Sequence, residues 1–127
     1  MTMTQIAICI DVPDLEVAVS FYCSALGCEK LSGHSANTKL SAGNMEIYLL
    51  LKEEGSKPVA NTTDTRSYSR HWTPIHLDFR VTDFEQTVND VTNFGGSHEG
   101  TDSGDWGAIA YCADPFGNGF CLIKEGK

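Results

Sequence analysis

The sequence lacks long hydrophobic runs and has few basic residues. No window approaches the roughly 18 uncharged apolar residues that a membrane-spanning helix needs, so we expect no membrane insertion. Lys and Arg number 9 against 17 Asp and Glu, which gives a net charge of −8. Because this acidic balance repels nucleic acid and anionic lipid, we expect neither as a partner.

The chain also lacks C-x-x-C pairs and a recognisable secretion signal. Its five cysteines are an odd number, and none has the spacing of a structural zinc site or a redox motif. The N-terminus has no basic start, no apolar stretch of signal length and no small-residue cleavage site. We therefore expect a cytoplasmic protein with reduced thiols. The cysteines are Cys9, Cys23, Cys28, Cys112 and Cys121.

The sequence does contain an internal repeat. Shifting the segment that begins at Thr4 by 69 positions places it on the segment that begins at Thr73. Several positions are then identical without a gap, so the two halves are expected to share one fold. The identical pairs are Thr4/Thr73, Ile6/Ile75, Val12/Val81, Asp14/Asp83, Glu16/Glu85, Val19/Val88 and Gly27/Gly96.

Each half has the pattern of a βαβββ module. An alternating strand comes first, with Ile6, Ile8 and Ile10 on one face in the first half and Ile75, Leu77 and Phe79 in the second. Asp14 and Asp83 then stand where a helix N-cap is needed. The predicted apolar helix faces are Leu15, Val19, Tyr22 and Leu26, and Phe84, Val88, Val91 and Phe94, with glycines ending both helices.

Short strand candidates follow each helix. They are residues 28–31, 38–42 and 46–51 in the first half and 106–112 and 119–123 in the second, where the polar stretch 97–104 is a weak strand candidate. The sequence thus predicts one α+β domain over residues 1–127, with modules at 4–52 and 73–125. Residues 53–72 are polar and are predicted to form a linker or a mobile flap.

The two opening strands differ in the residues on their second face. The first strand carries Ala7, Cys9 and Asp11 there, whereas the second carries His76, Asp78 and Arg80. This asymmetry indicates that most site chemistry lies in the second half.

Three motifs resemble the glyoxalase and bleomycin-resistance, or vicinal oxygen chelate, superfamily. They are the strand from His76 to Asp83, the turn Asp114-Pro-Phe-Gly-Asn118, and Phe21-Tyr22 followed by Leu26-Gly27. The resemblance implies that eight strands form an open cup around a ligand cleft, often within a homodimer. Antibiotic-resistance proteins and metal enzymes both belong to this superfamily.

Enzymes of the superfamily commonly hold a divalent metal with four side chains. The resemblance places those positions at Ala7, Tyr48, His76 and Cys121, and only His76 is an ordinary ligand. Cys121 would suit a soft ion such as Zn. We therefore expect no metal cofactor. The alternative is a lyase, isomerase or dioxygenase with Zn, Ni, Mn or Fe at a reduced site of His76, Glu46 and Cys121.

Without a metal, the resemblance favours binding and sequestration of a bulky small molecule, with a cationic compound among the candidates. The candidate ligand-binding residues are Tyr48, Trp72 and Trp106 for stacking, Asp78 and Glu46 for charge, and His76 and Cys121 in the cleft. The catalytic residues stay unassigned, with His76 and Cys121 as candidates for a nucleophilic pair. A third hypothesis is a protein interaction module whose cleft is filled by its own side chains.

Overall fold

The structure, a computed structural model, describes residues 3–126 and contains two βαβββ modules. The first module contains β1 (Ile8–Val12), α1 (Leu15–Ser24), β2 (Glu29–Gly33), β3 (Asn37–Ala42) and β4 (Met45–Leu51). Its strands form one sheet in the order β1-β4-β3-β2. The second module contains β5 (Leu77–Arg80), α2 (Phe84–Asn93), β6 (Ser97–Gly104), β7 (Gly107–Ala113) and β8 (Gly119–Glu125). Its strands form one sheet in the order β5-β8-β7-β6. These results confirm the predicted α+β class and its repeat. The eight strands form two four-stranded sheets that do not close on each other.

Both opening strands start later than predicted. Ile6 and Ile75 precede their strands and are 74% and 85% exposed. Each opening strand pairs in parallel with the last strand of its module, and the remaining neighbours are antiparallel. The hydrogen-bonded part of β1 therefore begins at Ile8 and that of β5 at Leu77.

The helix caps follow the prediction. The backbone amide of Val17 donates to Asp14 Oδ1 at 3.0 Å, and that of Gln86 donates to Asp83 Oδ1 at 3.2 Å. Each carboxylate satisfies a free amide of the first helical turn.

The helix faces differ in part from the predicted ones. Residues Ala18, Phe21 and Tyr22 are the fully buried positions of α1, while Leu15, Val19 and Leu26 are half-buried. The face is rotated because α1 packs against both modules, with the Phe21 ring 6.1 Å from that of Phe120 on β8.

One hydrophobic core spans both modules. It combines Val12, Leu40 and Leu49 of the first module with Phe120 and Leu122 of the second. A buried hydrogen bond, 2.7 Å from the Tyr22 hydroxyl to Asp114 Oδ2, also crosses between them. In the described part of the chain, no helix is long and apolar enough to cross a membrane.

The segment between β4 and β5 contains no helix or strand, yet it is folded back on itself. The amide of Gly55 donates to the carbonyl of Arg66, and the amide of Arg66 donates to the carbonyl of Ser56, both at 2.8 Å. Tyr68 donates its hydroxyl proton to the carbonyl of Lys52 at 2.8 Å. These bonds give the segment a defined path.

Candidate functional site

The edge strands β1 and β5 face each other across a pocket of about 350 Å³. We call it the seam pocket. Its walls are residues 8–11 of the first module, residues 75–77, Phe79 and the turn at 117–120 of the second, and parts of the connecting segment, including Tyr68 and His71. The lining is mainly apolar, with polar groups from Asp11, His76, Asn118 and the connecting segment.

Three potential metal donors gather at β5 and β8, with His76 immediately before β5. Asp78 lies directly opposite Cys121 in the parallel ladder, and His76 is two residues earlier, on the same side of the chain as Asp78. One donor atom from each of these residues lies within 4.8 Å of the other two. They form the one such group of three among residues 3–126. We call it the donor cluster.

The members of the donor cluster contact one another. His76 Nδ1 lies 3.0 Å from Asp78 Oδ1, so the ring nitrogen and the carboxylate satisfy each other. Burial, and then the Asp78 carboxylate, raise the pKa of the Cys121 thiol to about 11. The thiol is therefore protonated at neutral pH, and Cys121 is a weak nucleophile in this environment.

The predicted site residues of the first module lie elsewhere. Tyr48 and Glu46 are on β4, where Lys39 of β3 binds the Glu46 carboxylate at 3.0 Å and lies 5.8 Å from the centre of the Tyr48 ring. Neither residue lines the seam pocket. In the described chain, Asp78 rather than Glu46 accompanies His76 and Cys121.

The two tryptophans have different surroundings. The Trp72 ring lies 4.9 Å from the His76 ring at an interplanar angle of 44°, beside the seam pocket. Trp106 lies in the turn between β6 and β7, with its side chain against Gly104. Only Trp72 is therefore placed where it can contact a ligand held near His76.

Several residues of the site were missed by the sequence reasoning. Arg66 forms a salt bridge with Asp11 at 2.8 Å, and Arg70 forms a bidentate salt bridge with Glu99 on β6 at 2.6 and 2.9 Å. The hydrogen bond from Arg70 lowers the pKa of Glu99. The available signal was the presence of two arginines, close together, in a polar segment of an acidic chain.

A family model for the glyoxalase-like domain matches residues 7–123. The chain belongs to the glyoxalase-like family. The predicted resemblance to the vicinal oxygen chelate superfamily is thereby confirmed. No curated protein sequence matches the chain significantly.

Solved structures share the fold of this glyoxalase-like chain. The fosfomycin resistance protein FosX from Listeria monocytogenes, solved with Mn(II) and sulfate, superposes with a TM-score of 0.73 at 15% identity, covering 100% of this chain and 93% of that one. FosX from Mesorhizobium loti gives 0.72 at 16% identity, covering 98% and 93%. Lactoylglutathione lyase from Agrobacterium tumefaciens gives 0.67 at 17%, covering 98% and 95%. At these identities the likeness shows the fold alone.

Proposed function

We propose that this glyoxalase-like protein binds and sequesters a bulky, largely apolar small molecule in the seam pocket. The supporting observation is the pocket itself, whose volume of about 350 Å³ lies in the range of small-molecule sites. Ile8, Ile10, Leu77 and Phe79 supply apolar walls, and Trp72 stands beside His76 at one side. Apolar walls with a few polar groups are typical of such sites.

The local charges favour a neutral ligand over a strongly cationic one. Three candidate carboxylates already have partners: Arg66 for Asp11, Lys39 for Glu46, and a hydrogen bond with His76 for Asp78. The net charge of −8 still attracts cations over long range. Steering of a cation towards the protein is therefore supported, but ion pairing inside the pocket is not.

The exposed isoleucines of the repeat provide a matched test of this function. Ile75 lines the seam pocket, and its repeat counterpart Ile6 does not, although both are highly exposed. We expect the neutral dye N-phenyl-1-naphthylamine to bind wild type with increased fluorescence. Ile75→Asp should weaken binding about tenfold, or about 1.4 kcal/mol, because it places a charge beside an apolar ligand at the exposed edge of the pocket.

Ile6→Asp is the control and should bind the dye as wild type does. Equal weakening by both substitutions, or no dye binding to wild type, would contradict a ligand site in the seam pocket.

The donor cluster supports a second candidate function, a metal-dependent lyase, isomerase or dioxygenase. Imidazole, carboxylate and thiolate donors suit Zn(II) or Fe(II), and three protein donors leave a position open for substrate, as in catalytic zinc sites. A bound ion would supply Lewis acidity. The chain's own part would be to hold it with His76, Asp78 and Cys121 and to keep the apolar seam pocket beside it.

Metal binding can be measured without knowing a substrate. If the donor cluster holds an ion, Co(II) should give a thiolate charge-transfer band that disappears in Cys121→Ser. Calorimetry with Zn(II) should show binding that is lost in His76→Ala and Asp78→Asn but kept in Glu46→Gln, which serves as the control. If neither the Co(II) charge-transfer band nor heat of Zn(II) binding is observed, only the small-molecule-binding function remains.

We also propose a homodimer in a reducing cytoplasm. Exposed apolar residues outside the seam pocket, namely Met3, Leu31 and Trp106, support burial against a second copy, and all five cysteines are free thiols. Sedimentation equilibrium at micromolar concentration should give twice the mass of the chain. A single-chain mass would contradict the dimer.

A further inference from the structure

We propose that residues 53–73 are a lid over the seam pocket, held shut by two arginine latches that attach it to different modules. The inference rests on the proposed ligand site, since a lid has a role only if the pocket is entered. It starts from the position of the segment, which contributes Ser67, Tyr68, Ser69 and His71 to the pocket lining.

The first latch joins the lid to the first module. Arg66 Nε donates to Asp11 Oδ2 at 2.8 Å, near the C-terminal end of β1. The same guanidinium donates to Ser56 Oγ at 3.1 Å and to the carbonyl of Lys57 at 3.0 Å. Arg66 therefore ties the two limbs of the lid to each other and to β1.

The second latch joins the lid to the second module. Arg70 donates two hydrogen bonds to the Glu99 carboxylate on β6, and another to the carbonyl of His71. Its guanidinium packs against Gly119 of β8, where an added Cβ would come within 2.8 to 3.0 Å of it. The absence of a side chain at Gly119 is thus what allows this latch to close.

The lid is attached more weakly than the sheets that it covers. Within residues 53–73 no backbone group is bonded to a strand in the described structure, so the ion pairs and a few hydrogen bonds carry the attachment. Both latches are partly exposed, with side-chain exposures of 15% and 38% for the first and 27% and 34% for the second. Such pairs break and re-form readily, so the lid should open without unfolding of either module.

Hydrogen exchange of the full chain tests the latches without any ligand. Each of Arg66→Gln and Arg70→Gln should raise exchange of the amides in residues 53–73 by about 2- to 5-fold, the range for a partly exposed ion pair. Exchange in β4, β7 and β8 should stay unchanged. The control is Arg80→Gln, which breaks an exposed ion pair with Glu125 that lies away from the lid.

Swapping the two charges of the second latch distinguishes loss of the ion pair from a general loss of packing. Arg70→Glu with Glu99→Arg restores the opposite charges in reversed order, and it should return lid exchange towards the wild-type rate. Unchanged lid exchange in the Arg66→Gln, Arg70→Gln double variant would overturn the proposal, as would an equal rise throughout the protein.

Stopped-flow mixing with N-phenyl-1-naphthylamine then tests gating. The double variant should take up and release the dye several-fold faster than wild type, whereas Arg80→Gln should not. Faster lid exchange with unchanged dye rates would overturn the lid. If wild type bound no dye, the proposed function would fail, and the lid over a ligand site with it, while the exchange data would still report on the two ion pairs.

Discussion

At the residue scale, Asp114 holds the junction of the two modules. Its carboxylate is almost fully buried and accepts hydrogen bonds from the Tyr22 hydroxyl, the Phe116 and Asn118 amides, and the Asn118 side chain. Four donors compensate the loss of hydration of the carboxylate. The side-chain amide of Asn118 also donates to the backbone carbonyl of Asp11, and this bond connects the turn to β1.

Replacing Asp114 should therefore be costly. Asp114→Ala leaves several buried donors without an acceptor, so we expect the free energy of unfolding to fall by about 3 kcal/mol or more. Urea denaturation measures this. The control Asp105→Ala removes an acidic side chain from the exposed β6–β7 turn and should change stability by less than about 0.5 kcal/mol. Similar losses in both variants would contradict the role of Asp114.

Tyr22 gives the stability a dependence on alkaline pH. Burial, followed by the Asp114 carboxylate, raises the pKa of its phenol well above the ordinary value of about 10. Its contribution is fully present below pH 10 and is lost as the pH rises further, because the unfolded chain releases the proton first. At pH 11 the wild type should have lost about 1.4 kcal/mol more than Tyr22→Phe. Parallel pH profiles of the two proteins would disprove this.

At the element scale, two glycines at the turns between strands are required for different structural reasons. Gly43 has a φ of 58° and open space where a Cβ would stand, whereas Gly107 has a φ of 129° and a Cβ there would overlap the carbonyl oxygen of Lys124. Gly43→Ala should cost about 1 kcal/mol from backbone strain. Gly107→Ala should cost about 3 kcal/mol or more because β7 and β8 must also separate. Thermal denaturation compares them, and equal costs would contradict the steric argument.

The elements also show what sequence patterns can and cannot predict. The repeat and the cap aspartates predicted two βαβββ modules because local hydrogen bonding and periodicity determine them. Strand β6 was weakly indicated, since an exposed edge strand such as this one needs no apolar residues and is held by pairing with β7.

The donor cluster was predicted in part. His76 and Cys121 stood in recognisable motifs, but the approach of Asp78 depends on the β5–β8 register, and the two arginine contacts depend on the path of the lid.

At the scale of the whole molecule, the shared core predicts that the two modules unfold as one cooperative unit. Phe21 of the first module packs on Phe120 of the second, and Tyr22 binds Asp114, so we expect neither module to keep its core when the other unfolds. Both tryptophans lie in the second half of the chain, at 72 and 106. Tryptophan fluorescence thus reports mainly on the second half, whereas far-ultraviolet circular dichroism reports on both.

This arrangement allows a direct test of cooperativity. Leu49→Ala removes a fully buried side chain from β4 of the first module and should lower the free energy of unfolding by about 3 kcal/mol. At constant protein concentration, the urea transition followed by fluorescence should shift by as much as the one followed by circular dichroism. If the fluorescence transition stayed in place while the dichroism signal split into two steps, the modules would be independent. The shared core would then contribute little to the coupling, and the Tyr22–Asp114 bond would be a local contact only.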